Sequence, residues 1–106
     1  MIMILSTTHS VPNREIIEIL GIARGSSVRS RNIGRDIVAG LKKIAGGEIE
    51  EYTKLQADAR EQAIERMVED AKKLNADAII GISFTTAMVT SGAAEILTYG
   101  TAVKLK

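Results

Sequence analysis

The stretch from Glu48 to Leu74 constrains the fold most, because its pattern is typical of one long amphipathic helix. Its apolar residues recur at spacings of three or four, which places them on one stripe of a helix with about 3.6 residues per turn. The stripe comprises Ile49, Tyr52, Leu55, Ala59, Ala63, Met67, Ala71 and Leu74. Charged residues fill the opposite side, and neither Gly nor Pro interrupts the run. We expect the rest of the chain to be organised around this helix.

Two apolar segments precede the helix and predict strands. Met1 to Thr8 indicates a short strand, and Ile16 to Val28 indicates a longer one. The second segment also allows a helical face, but its β-branched residues favour a strand. We expect these strands to pair antiparallel across the turn at Val11 to Arg14, with a bulge at Gly21 or Gly25.

The spacing of apolar residues predicts three further elements along the chain. Asn32 to Ala45 has helical spacing and predicts a short helix, which the pair Gly46-Gly47 ends. After the long helix, Ala78 to Val89 and Glu95 to Leu105 indicate strands. The turn residues Thr90 to Gly92 separate them, so these strands form a second hairpin.

The predicted fold class is therefore α+β, in the order β-β-α-α-β-β, with an antiparallel sheet packed on a short and a long helix. We expect one domain over residues 1–106. The strand after the long helix is apolar on both faces: Ile80, Ile82, Phe84 and Met88 fall on one, and Ile79, Ala87 and Val89 on the other. Two helices can cover only one face, so we expect a neighbouring copy to cover the rest. Patches on different sides favour head-to-tail contacts that close into a ring.

Composition and charge limit the classes of partner. Aromatic residues make up only 3% of the chain, which argues against the stacking platforms of single-strand nucleic-acid binders. The net charge of +1 argues against a dedicated polyanion binder, so we expect no nucleic-acid partner. The apolar run Met1 to Leu5 is too short for a signal peptide or a membrane span. We therefore expect a cytoplasmic protein without a membrane contact.

Metal binding is limited by the available donors. The chain has no Cys, one His and four Met, whereas soft heavy metals select thiolate and imidazole ligands. One subunit therefore lacks the donors of a closed four-ligand site, and we name no certain cofactor. A metal ion could still be held by His9 if each subunit contributed one copy around a symmetry axis. The alternative is that His9 is an ordinary surface histidine.

A basic cluster is the candidate anion site. Six basic residues and a single acid lie between Arg24 and Lys43. Arg29, Arg31 and Arg35 precede or open the short helix, whose N-terminus offers free N–H groups and a positive dipole end. An anionic metabolite or nucleotide could dock there. The alternative is solvated or structural charge, which we weigh more heavily because charge clusters discriminate poorly.

The spacing of reactive residues does not indicate a catalytic site. General acid-base chemistry usually requires a His or a pKa-shifted carboxylate beside a nucleophile. His9 has only hydroxyl residues as sequence neighbours, and the acids of the long helix lie on its solvated side. We expect no enzyme, and the weaker alternative is an enzyme whose site forms between subunits.

Several segments carry a family resemblance. They are NIGRDIVAGLKKIAGG at 32–47, Glu51-Tyr52, AKKLNADAIIGI at 71–82, Gly100 to Lys104, and the earlier STTHSV and LGIARG. Together they resemble the YbjQ-type family of small bacterial and archaeal proteins, which carry a heavy-metal-binding label. The resemblance implies a dodecin-like α+β subunit in a ring, typically a homopentamer. It implies no established reaction and no established ligand.

Overall fold

The chain forms four strands and one long helix in the residues that the computed structural model describes, which are 2–29, 50–90 and 93–106. The elements are β1 (Ile4–Leu5), β2 (Ile16–Arg29), α1 (Glu50–Lys73), β3 (Ala78–Thr90) and β4 (Ala93–Leu105). The long helix, the long strand β2 and the final hairpin of β3 and β4 are confirmed. The first strand is confirmed but covers only Ile4–Leu5 of the predicted Met1 to Thr8. The short helix predicted over 32–45, with its Gly46-Gly47 end, lies outside the described residues.

The four strands form one mixed sheet in the order β1-β3-β4-β2. β4 pairs antiparallel with both β2 and β3, whereas β1 runs parallel to β3 through Ile4 and Ala78. The predicted antiparallel pairing of the first two strands is therefore wrong, because they lie at opposite edges. An alternating pattern of apolar residues shows which face of a strand is buried, but it does not show which other strand it pairs with. The two edges are about 15 Å apart, which the connection over 6–15 spans easily.

Helix α1 packs mainly against β2, less against β4 and hardly at all against β3. The predicted stripe is confirmed at its fully buried members, Ala59, Ala63, Met67 and Ala71. At the point of closest approach a Cβ on Gly25 would overlap the backbone of Ala63 and Met67. The absence of a side chain at Gly25 thus lets the helix lie directly on β2.

Apolar clusters form on both faces of the sheet. On the helix side the core joins Ala23, Met67, Ala71, Ile79 and Ala102. On the other face Ala78, Ile80, Val103 and Leu105 cluster with the partly buried Ile4, Val11 and Ile16. The chain's N-terminal segment covers that second cluster, so this end of the sheet is buried on both faces.

Two of the four register shifts along the described strands decide which side chains reach the helix. The predicted bulge at Gly21 is confirmed by a register shift between Ile19 and Gly21. A second shift, between Ile80 and Ser83, was not predicted and contains Gly81. Because of it, Ile79 rather than Ile80 shares the helix side with Phe84, so the predicted division of β3 into faces is wrong at that point.

Candidate functional site

Within the described ranges, no helix packs over the apolar helix-side surface of β3, because α1 lies over β2 and β4. Phe84 is 48% exposed and Met88 74% exposed. Phe84 pairs in register with Thr98, whose Oγ1 lies 3.7 Å from Sδ of Met67 on α1, so Phe84 faces the helix side. A groove of about 160 Å³ opens beside it between α1 and β1. We define the β3 patch as Leu5, Ile64, Ile82, Phe84 and Met88.

A second apolar surface lies at the other edge of the sheet. Ile19 is 71% exposed and Ile22 69% exposed, and they pair in register with Val103 and Thr101. Val103 belongs to the cluster on the face away from the helix. We define the β2 patch as Ile19, Ile22 and the exposed Tyr99. The β2 and β3 patches therefore lie at opposite edges and on opposite faces.

The loop that carries His9 continues the pairing of β1 along β3. The Ile82 N–H donates to the Ser6 carbonyl at 3.1 Å, and the Gly81 N–H donates to the Thr8 carbonyl at 2.8 Å. A hydrogen bond from a side-chain hydroxyl stabilises the loop, since Thr8 Oγ1 donates to the Ser10 carbonyl at 2.7 Å. The loop is thus fixed to the sheet at the second bulge.

His9 itself lies exposed over Gly81. A Cβ at Gly81 would sit 3.1 Å from Nδ1 of His9, and the φ of +60° at Gly81 also favours glycine. Sequence reasoning missed this contact. The available signal was a glycine inside a strand pattern, which marks a bulge or a close approach.

The residues present do not fit a heavy-metal site within one subunit. The sequence has no Cys and His9 is its one His. Across the described ranges, no three His, Cys, Asp or Glu side chains come together. A closed site for a soft metal normally takes four such donors. A site that His9 shares between subunits stays a prediction.

Only one of the three arginines of the predicted anion site lies in the described residues. Arg29 ends β2, while Arg31 and Arg35 lie outside the described ranges. The anion site therefore stays a prediction.

Asp77 ties the start of β3 to the end of β4. Its Oδ2 accepts the Leu105 N–H at 2.9 Å, and its Oδ1 lies 3.5 Å from Nζ of Lys104. These contacts hold the pKa of Asp77 below its ordinary value of 3.8, the Leu105 hydrogen bond having the largest effect. Lys104 also donates to the Asn75 carbonyl at 2.9 Å, beyond the helix end. Asp77 is thus a structural clamp.

No helix within the described ranges is both long enough and apolar enough to cross a membrane.

The fold defines a class: a small α+β protein with one long helix on a mixed four-stranded sheet. Residues 3–106 match the YbjQ family model, whose description is "Putative heavy-metal-binding". The chain belongs to this family.

Its relatives are similar along their whole length. A UPF0145 protein of Archaeoglobus fulgidus is 55% identical over 98% of this chain and 96% of its own. One of Vibrio campbellii is 57% identical over 97% of this chain and 99% of its own. A solved structure from Pediococcus pentosaceus, a DUF74 family protein of unknown function, has a TM-score of 0.64 at 18% identity and covers 98% of each chain. That likeness concerns the fold alone.

Proposed function

We propose that the chain acts as a homo-oligomeric ring that holds a small ligand or ion between its subunits and has no catalytic activity of its own. The observation that carries the proposal is the diagonal placement of the β2 and β3 patches. Each subunit covers the β3 patch of one neighbour with its own β2 patch. The family resemblance implies five subunits.

Head-to-tail contact explains both patches with one interface. A two-fold contact uses the same single surface on both subunits, and the two patches lie on opposite edges and faces, so a dimer formed through one patch leaves the other in water. Exposed apolar patches of this kind mark interaction surfaces in soluble proteins. Fully burying a large apolar side chain contributes about 1.5–3 kcal/mol. Phe84, Met88, Ile19 and Ile22 together therefore offset a substantial part of the association cost of about 4–15 kcal/mol.

The groove beside Phe84 supports a ligand between subunits. It is lined mainly by apolar side chains, with the hydroxyl residues Ser6 and Thr7 at its rim. Ligand sites are usually concave, mostly apolar and equipped with a few polar groups. About 160 Å³ is small for such a site, so the wall of a neighbouring subunit would complete it.

Mixing two interface variants tests the head-to-tail arrangement. Ile22→Asp disables the β2 patch, and Phe84→Asp disables the β3 patch. We expect each variant alone to be a monomer of about 11.4 kDa in native mass spectrometry, because it has no working interface. Mixed in equal amounts, they retain one intact interface and should form a heterodimer of twice that mass.

Thr85→Asp is the matched control, since Thr85 is exposed on β3 and pairs with Leu97 on the face away from the helix. It should assemble like the wild type. A wild-type protein that stays monomeric at micromolar concentration would refute the oligomer. An oligomer whose two variants fail to form the heterodimer would refute the head-to-tail contact. A ring of four or six subunits would refute only the proposed number of five subunits.

A further inference from the structure

A cleft of about 500 Å³ lies where α1 meets the edge of β2. Two arginines line it, Arg24 from β2 and Arg66 from α1. Ser26, Glu95 and Leu97 contribute to the same lining. Small-molecule sites usually enclose roughly 300–1,000 Å³, so the cleft has room for a small organic molecule.

The guanidinium of Arg66 is held in place at this cleft. Its Nη1 donates to the Ser26 carbonyl at 2.6 Å, and one such bond leaves most N–H donors of a guanidinium available to a ligand. The helix reaches the strand here because Gly25 has no side chain: a Cβ at Gly25 would lie 2.8 Å from the carbonyl carbon of Arg66. A side chain that is already positioned loses less freedom when it binds a ligand.

Arg24 brings a second positive charge to the cleft. Its exposed side chain lies on the face away from α1, because its neighbours Ala23 and Gly25 are buried beneath the helix. Its backbone N–H donates to Oδ2 of Asp70 at 3.0 Å, so this carboxylate is engaged by the backbone of β2. In the part of the chain that the structure describes, the ion pairs involve neither Arg24 nor Arg66.

The β4 side of the cleft offers different chemistry. Leu97 pairs with Ser26, and Glu95 pairs with Val28, two residues further along β2. At about 3.3 Å per residue, Glu95 therefore lies roughly 7 Å beyond Ser26 along the strand. A carboxylate accepts hydrogen bonds from sugar hydroxyl groups, as acidic residues of dinucleotide sites do from ribose. The cleft thus combines cations at one end with a hydrogen-bond acceptor at the other.

We infer that this cleft binds a sugar phosphate, with Arg24 and Arg66 at the phosphate and Glu95 at the sugar hydroxyls. Guanidinium groups match phosphate oxygens in bidentate geometry, and a phosphomonoester carries nearly two negative charges at pH 7. The site lies within one subunit, so the inference goes beyond the proposed ring and does not depend on it. It also differs from the anion site predicted from the sequence, which lies further along the chain at Arg29 to Arg35.

Isothermal titration calorimetry of the full chain with ribose 5-phosphate tests the inference. We expect saturable binding, weaker binding of inorganic phosphate, and no binding of ribose, which lacks the charge. Arg24→Ala and Arg66→Gln should each weaken the binding of ribose 5-phosphate about tenfold, because each removes a charged hydrogen-bond donor. Arg60→Ala is the matched control. It removes an exposed arginine of the same helix that does not line the cleft, and it should bind like the wild type.

Glu95→Ala tests the sugar end of the site. It should lower the preference for ribose 5-phosphate over inorganic phosphate, because it removes the acceptor for the hydroxyl groups and leaves the cations in place. An unchanged preference would overturn the assignment of a sugar phosphate. The absence of saturable binding by the wild type would overturn the inference, and so would binding that Arg24→Ala leaves unchanged while circular dichroism shows an intact fold.

The variant Phe84→Asp separates this inference from the proposed ring. Phe84 lies on β3, outside the cleft, so this variant should bind ribose 5-phosphate like the wild type even though it is designed to prevent assembly. A chain that is monomeric but binds would refute the ring and support the site. Binding by the wild type that is lost in Phe84→Asp would overturn a site within one subunit.

Discussion

The β2 and β3 halves of the sheet carry different side chains under the same helix. On β2, Ala23, Gly25 and Ser27 are buried beneath α1. On β3, Phe84 and Met88 face the same side and remain exposed. Small residues let the helix approach the strand closely, whereas large ones hold it away. The comparison teaches that the helix-side face of the β2 half is covered within the subunit, while the same face of the β3 half stays largely exposed in the described residues.

The largest expected effect distinguishes two methionines on the helix side of the sheet. Met67 is fully buried under α1, and Met88 lies on β3 beyond its cover. We expect Met67→Ala to lower the free energy of unfolding by about 2–5 kcal/mol, because it leaves a cavity in the core. The loss should be the same at every protein concentration in thermal and urea denaturation.

Met88→Ala serves as the matched substitution. An exposed change in an isolated subunit costs within about 0.5 kcal/mol. If Met88 lies in a subunit contact, its effect on the melting temperature must instead vary with protein concentration. A concentration-independent loss of several kcal/mol at Met88 would break the comparison between the two halves.

A smaller effect concerns acid, at the end of the sheet where both faces are covered. The pKa of Asp77 is lowered in the folded protein, so this group stabilises the fold fully above its ordinary pKa of 3.8. The stabilisation is lost as the pH falls from there through the lowered folded pKa. Asp77→Asn should be less stable than the wild type at neutral pH, and the gap should narrow in acid. Urea denaturation across this range measures it, and an unchanged gap would contradict the clamp.

The smallest expected effect concerns metal that stays bound through purification. It tests the proposal that the β3 half makes protein contacts and holds no metal within one subunit. One subunit lacks the donors for a soft-metal site, so we expect far less than one zinc or copper per chain after purification without tag or chelator. Elemental analysis measures this ratio. A value near one would contradict the prediction. One metal per ring, lost in His9→Ala, would assign the site to His9 at a shared axis.

The sequence predicted the elements whose own side chains decide them. The stripe through Ala59, Ala63, Met67 and Ala71 indicates which side of the helix is buried, since that follows from local spacing alone. The final hairpin follows in the same way from two strand patterns separated by turn residues. The candidate site was only partly predictable: Phe84 and Met88 were named as apolar residues on one face of β3, but whether α1 covers them was not.

The amino-acid sequence by itself determined where strands and helix form, because propensity and periodicity act over neighbouring residues. The tertiary structure alone decided that β1 pairs with β3, that Gly81 shifts the faces of β3, and that α1 lies over β2. These outcomes depend on which strand edges pair and on which surfaces can pack closely. Gly25 is an example, because α1 can lie on it only where no side chain is present. Such contacts join residues far apart in the chain, so no local pattern specifies them.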